Sequence, residues 1–247
     1  MHNILYLYLY MKHGNFSIDM VLILIFVLML FPYVFFKLRN KVPYPVNSTL
    51  KLKDYYILSI LLTYLIIGGY QQYFWTKDNM LRNPFIVPKI FLDDILKKND
   101  LWVYIYNFLY YFIFGFILVT IPNYKHFAVI IIGALILMTG LSIIWYIIPN
   151  KTPKRMKTDK YFLSKTQKID NNNNNACPSA HVVFAMYSYY LLRGVIGEFS
   201  ASLVPILVSI SCLKTTQHVA LDILLGIVYS YIMYNFVLKK VAPSVFR

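Results

Sequence analysis

His218 and Asp222 stand four residues apart in "SISCLKTTQHVALDILLG", where a long apolar run begins. On a helix this spacing puts imidazole and carboxylate on one face, within reach of each other. An aspartate one turn into a membrane-spanning segment costs roughly 2.5–3.5 kcal/mol unless it is paired or hydrated. A carboxylate that holds one ring nitrogen leaves the other available as a base or nucleophile. A plain packing hydrogen bond would use the same pair, so the spacing needs a second element to mean catalysis.

"CPSAH", residues 177–181, is that second element. Amides in the first turn of a helix lack internal partners and face outward with the positive end of the dipole, so an anion binds there. Ser179 adds a hydroxyl donor, Ala180 leaves the approach open, and His181 stands in the first turn. Taken alone, Pro-Ser-x-His is more often a helix start with an interfacial histidine. Its weight comes from lying on the same expected membrane face as His218.

The elements that must position these residues are read from composition. Of 247 residues, 59% are hydrophobic and 14% charged, with mean hydropathy +0.56; that excludes an ordinary soluble domain. Apolar runs that could cross a hydrocarbon core, which takes roughly 20 helical residues, fall at 17–36, 55–75, 101–121 and 127–148. Three more follow at 181–196, 200–213 and 218–238, the first two needing flanking residues to complete a span. These runs lack the alternation of a barrel wall. The expectation is an all-α, multi-pass bundle of seven helices. The basic stretch "KLRNKVPYPVN" after the first run has no small-residue cleavage site, so that run is read as a retained anchor.

The net charge of +14 sits in short loops beside apolar runs, which points to anionic lipid headgroups and away from nucleic acid. With seven alternating helices, loops 76–100, 150–180 and 214–217 share one face. Residues 88–100 have helical apolar spacing and are expected to form an amphipathic surface helix. The run Asn171–Asn175 is read as a flexible loop without a catalytic part. His2, His13 and His126 are read as interfacial. Cys177 and Cys212 imply no disulfide framework.

These residues resemble the type 2 phosphatidic acid phosphatases, which share a core with the vanadium haloperoxidases. "PSAH" at 178–181 is similar to that family's Pro-Ser-Gly-His motif, with Ala180 for glycine. Ser211, His218 and Asp222 match its Ser-Arg, five residues, His, three residues, Asp motif, with Cys212 in place of the arginine. "PNKTPKR" stands where the first motif belongs, but the lysine position holds Ile147 or Ile148 and no proline follows Arg155. The resemblance implies a six-helix core at 55–238, an added N-terminal anchor segment at 1–54 and a short basic tail at 239–247.

The resemblance also implies metal-independent phosphoryl transfer without cofactors. His218 would attack phosphorus, Asp222 would orient it, and His181 would protonate the leaving alkoxide. Ser179, the first turn at Ala180, and Lys151, Lys154, Arg155 and Lys214 would hold the phosphate. The substrate would be a lipid phosphomonoester, and the expected location an endomembrane such as the endoplasmic reticulum or Golgi. Headgroup transferases of sphingolipid synthesis resemble "TTQHVALDILLG" equally well and use a lipid alcohol as acceptor. Two other classes draw on the same residues. Cys177 with His181 and Cys212 with His218 make a conceivable zinc set, although with undistinctive spacing. Loss of the motif arginine also fits a lipid-binding or transport protein that keeps the fold. No protein partner is implied.

Overall fold

The computed structural model describes residues 49–107, 122–153 and 174–243, with isolated positions before and between them. The run at 17–36 lies outside the described residues except for Tyr33, and most of 108–121 does so too. The protein is mostly helical. In chain order come α1 (Leu52–Asp78), the two-residue strand β1 (Phe85–Ile86) and a single turn, α2 (Leu92–Ile95). After a 3-10 turn at Asp100–Trp102, residues 103–107 are helical. Then follow α3 (Tyr124–Ile147), β2 (Asn150–Lys151), α4 (Ala180–Ile196) and α5 (Glu198–Lys214). Last come α6 (Ala220–Met233), a π-helical turn at Tyr234–Leu238 and α7 (Lys239–Val241).

Among the described residues, two helical stretches, Tyr124–Ile147 and Ala220–Val241, are long and apolar enough to cross a membrane. Their outward residues include Ile132, Leu135 and Ile143 on α3 and Leu224, Val228, Tyr231 and Ile232 on α6, all exposed. The final helical stretch overruns the expected boundary at 238, because the π-turn leads into α7 without a break.

Flanking residues lengthen the runs at 181–196 and 200–213 only slightly, by Ala180 in the first and by Glu198, Phe199 and Lys214 in the second. Helices α4 and α5 have 17 residues each, about 25 Å at 1.5 Å per residue. One residue, Gly197, separates them, with φ +85, a conformation that glycine adopts without a Cβ penalty. Arg193 bonds the Tyr234 hydroxyl and pairs with Glu198 at 3.7 Å, tying this hairpin to the end of the last helix. The hairpin returns the chain, so the start of α4, the end of α5 and the start of α6 lie at one end of the bundle.

A single apolar core joins α1, α3, α4, α5 and α6, with Tyr55, Leu58, Leu141, Trp145, Val183, Tyr187, Val208 and Leu238 inside it. Between α4 and α6 the approach is close. A Cβ on Gly226 would lie 3.2 Å from the Ser179 carbonyl oxygen and 3.2 Å from Val182 Cβ.

The amphipathic helix expected over 88–100 is absent; helix there is limited to the single turn of α2. The reason is polar. Asp93 accepts the Ile90 amide at 2.8 Å and, with its other oxygen, the Ala220 amide at 2.7 Å. Its side chain thus caps α6, and the Asn99 amide donates to the Lys214 carbonyl at 2.9 Å. The segment is fastened across the helix ends of α5 and α6.

Gly226→Leu should overpack the α4–α6 contact and cost about 1–3 kcal/mol, read as a lower thermal midpoint in detergent. Gly194 has open space at its Cβ position, so Gly194→Ala should instead stabilise its helix by about 0.5–1 kcal/mol.

Candidate active site

At the loop end of the bundle, His181 and His218 come together from α4 and the α5–α6 turn. Their ring centroids are 5.6 Å apart and their planes are inclined at 60°. That separation lets both imidazoles reach one small oxyanion. His218 is 8% exposed and Asp222 0%.

Asp222 Oδ2 faces His218 Nδ1 at 3.2 Å and accepts the Val219 amide at 3.0 Å. With a carboxylate as acceptor, Nδ1 carries the ring proton and Nε2 keeps its lone pair. The second oxygen, Oδ1, is buried and has no partner at hydrogen-bond geometry, although the Cys177 thiol lies beside the carboxylate. Burial first, and then the Asp222 charge, push that thiol's pKa up to about 12, so Cys177 stays protonated at neutral pH. Val87, Cys177 and Val219 form a small apolar cluster beneath this corner.

His181 has a different partner. The Tyr106 hydroxyl lies 3.1 Å from His181 Nδ1, and the two rings stack with centroids 4.0 Å apart, planes inclined at 26°. Nothing in the spacing of Tyr106 marks it in a chain with 23 tyrosines.

Ser179 is turned inward. It is fully buried, its oxygen accepts the Val182 amide at 3.5 Å as the cap of α4, and its own amide donates to the Asp222 carbonyl at 3.0 Å. In place of a solvent-facing phosphate donor, it acts as a joint between α4 and α6. Ala180 opens α4, which leaves the first-turn amides beside His181 as the donors an oxyanion would meet. Cys212, at the position of the motif arginine, is fully buried and faces Ser179. Its carbonyl accepts the Gln217 and His218 amides at 3.1 and 3.4 Å.

The expected cations are distributed unevenly. Lys151 lies in β2, paired in register with Ile86 and bridged to Asn174. Lys214 places its ammonium 5.2 Å from the centre of the Trp102 ring, a cation–π contact. Arg155 is half-buried in the loop after β2. Lys154 lies outside the described residues. A surface cleft of about 460 Å³, lined in part by Lys77, Asp78 and Arg82, contains neither histidine.

Asn150 is the residue that sequence reasoning passed over. It is 1% exposed. Its amide group donates to the carbonyls of Ile148 at 3.0 Å and Cys177 at 2.6 Å, and its oxygen accepts the amides of Ala176 at 2.9 Å and Cys177 at 2.6 Å. It thereby fixes the turn that delivers the cis Cys177–Pro178 bond and the start of α4. Asn175, read from its asparagine run as loop filler, is also ordered. It adopts φ 57, and its side chain donates to the Tyr73 carbonyl at 3.0 Å and the Thr76 hydroxyl at 2.9 Å.

Among the described residues, no group of three or more His, Cys, Asp or Glu is arranged to hold a metal ion. Comparison with protein families, curated proteins and solved structures finds no match for the chain.

Asn150→Ala removes four hydrogen bonds from a buried junction and should cost about 2–4 kcal/mol, seen as a lower thermal midpoint. Maleimide labelling of Cys177, followed by mass spectrometry of its peptide, should then quicken about tenfold or more as local opening becomes easier.

Proposed function

We propose that the chain is a multi-pass integral-membrane phosphoryl-transfer enzyme that hydrolyses a lipid phosphomonoester through a phosphohistidine, in the manner of the type 2 phosphatidic acid phosphatases. The observation that carries this is the meeting of His181 and His218 at 5.6 Å beside the first turn of α4. Asp222 lies behind one of the rings.

The chemistry follows from those positions. His218 Nε2 attacks phosphorus as the bond to the lipid oxygen breaks, and His181 gives that oxygen its proton. Asp222 accepts the Nδ1 hydrogen and stabilises the positive charge that grows on the ring. Water then attacks the phosphohistidine, His181 takes back a proton, and inorganic phosphate leaves with His218 restored. The α4 amides, with Lys151 of β2 and Arg155 of the loop that follows, offset the charge on the non-bridging oxygens.

One observation favours a second reading. Cys212 occupies the arginine position and is sealed from solvent, so the guanidinium fork of the phosphatase motif has no counterpart there. This suits a sphingolipid-type headgroup transferase, or a lipid-binding protein that has lost catalysis.

Purified protein given phosphatidic acid should release inorganic phosphate and carry an acid-labile phosphoryl label on His218. His218→Ala should abolish both, and His181→Ala should slow release by about 10²–10⁴. A new sphingolipid formed from ceramide and a phospholipid donor, without phosphate release, would establish the transferase instead. Full cellular function of His218→Ala with neither product would establish the binder.

A further inference from the structure

The two histidines are braced by different chemistry. Behind His218 is a buried carboxylate; behind His181 is a phenol from another part of the chain. We propose that Tyr106 is a positioning residue for His181, holding its Nδ1 edge and one ring face so that Nε2 is the nitrogen offered to the leaving oxygen. This rests on the phosphoryl-transfer reading and deepens it.

Three features carry the assignment. Tyr106 is 5% exposed, so its ring is held by packing as well as by the imidazole. The hydroxyl reaches Nδ1 at 3.1 Å while the ring covers the imidazole at 4.0 Å, which restrains both tilt and rotation about χ2. A tyrosine hydroxyl also both donates and accepts. When His181 gives and retakes a proton at Nε2, Nδ1 keeps its hydrogen in both states and the Tyr106 oxygen accepts it in both, so the contact survives each transfer.

The difference in bracing also separates the roles. A carboxylate behind a ring strengthens it as a nucleophile and stabilises the cation formed on attack. A neutral phenol holds orientation without placing a charge behind the ring, which suits His181 as the acid and His218 as the attacking ring of the proposed reaction.

Tyr106→Phe keeps the stacked ring and removes the hydroxyl. With an alkyl phosphomonoester, whose alkoxide needs a proton to leave, kcat should fall about tenfold. With p-nitrophenyl phosphate, whose leaving group needs none, it should stay within about twofold of wild type. In protein labelled with ¹⁵N-histidine, the His181 Nδ1 resonance should move and that of His218 should not. Equal losses on both substrates, or an unmoved His181 resonance, would overturn the proposal even with wild type active and His218→Ala dead. Should wild type turn over neither substrate, the enzymatic reading fails, and the resonance alone decides whether Tyr106 holds His181.

Discussion

The Asp222 carboxylate, fully buried at the start of α6, accepts the Val219 amide and the His218 ring with one oxygen, while its backbone carbonyl takes the Ser179 amide. A side chain of this kind is costly to bury without partners, and its partners here are the parts of the site. Removing the carboxyl group would leave His218 unbraced and the Val219 amide unsatisfied. The backbone link means that α4 and α6 are positioned by the same residue. Gly226, one turn further along, lets the two helices approach closely enough for that link to form.

Around this centre, segments that resemble linkers are held by polar side chains. Asn150 satisfies four backbone groups across the 148–177 junction, Asn175 reaches back to α1, and Asp93 caps α6 from the segment before the third helix. Each joins chain segments that would otherwise be free to move at the bundle end. Backbone amides and carbonyls in such loops need partners, and three short side chains supply them where no sheet or helix does. The apolar helices bring the parts of the site to one end of the bundle; these contacts fasten the loops there.

Charge is managed differently from the family the sequence resembles. The position of the motif arginine is taken by Cys212, packed against Ser179, and Lys214 is engaged with the Trp102 ring. In the proposed reaction, neutralisation of the phosphate falls to the first-turn amides of α4 and to Lys151, adjacent to Asn150. Helix amides are fixed in direction and need no reorganisation when charge grows, whereas lysines on a loop respond to salt and to lipid charge.

Among the described residues, the sequence by itself determined the two long apolar helical stretches, Tyr124–Ile147 and Ala220–Val241, because a run of nonpolar side chains long enough for a bilayer has few other stable states. It also made the His218–Asp222 pair legible by spacing, although the contact forms across a helix start: His218 precedes α6 and Asp222 lies in its first turn. The meeting of His181 with His218 was decided only by the tertiary structure, since it depends on a hairpin at Gly197 that returns α5 to the start of α4. Tyr106, Asn150 and Asp93 were illegible for the same reason. Their partners lie 75, 27 and 127 residues away, and no local periodicity records a contact made across the bundle. Residues 88–100 show the converse: their helical spacing was real, yet the Asp93 carboxylate found a partner at the start of α6, and tertiary hydrogen bonds overrode the local pattern.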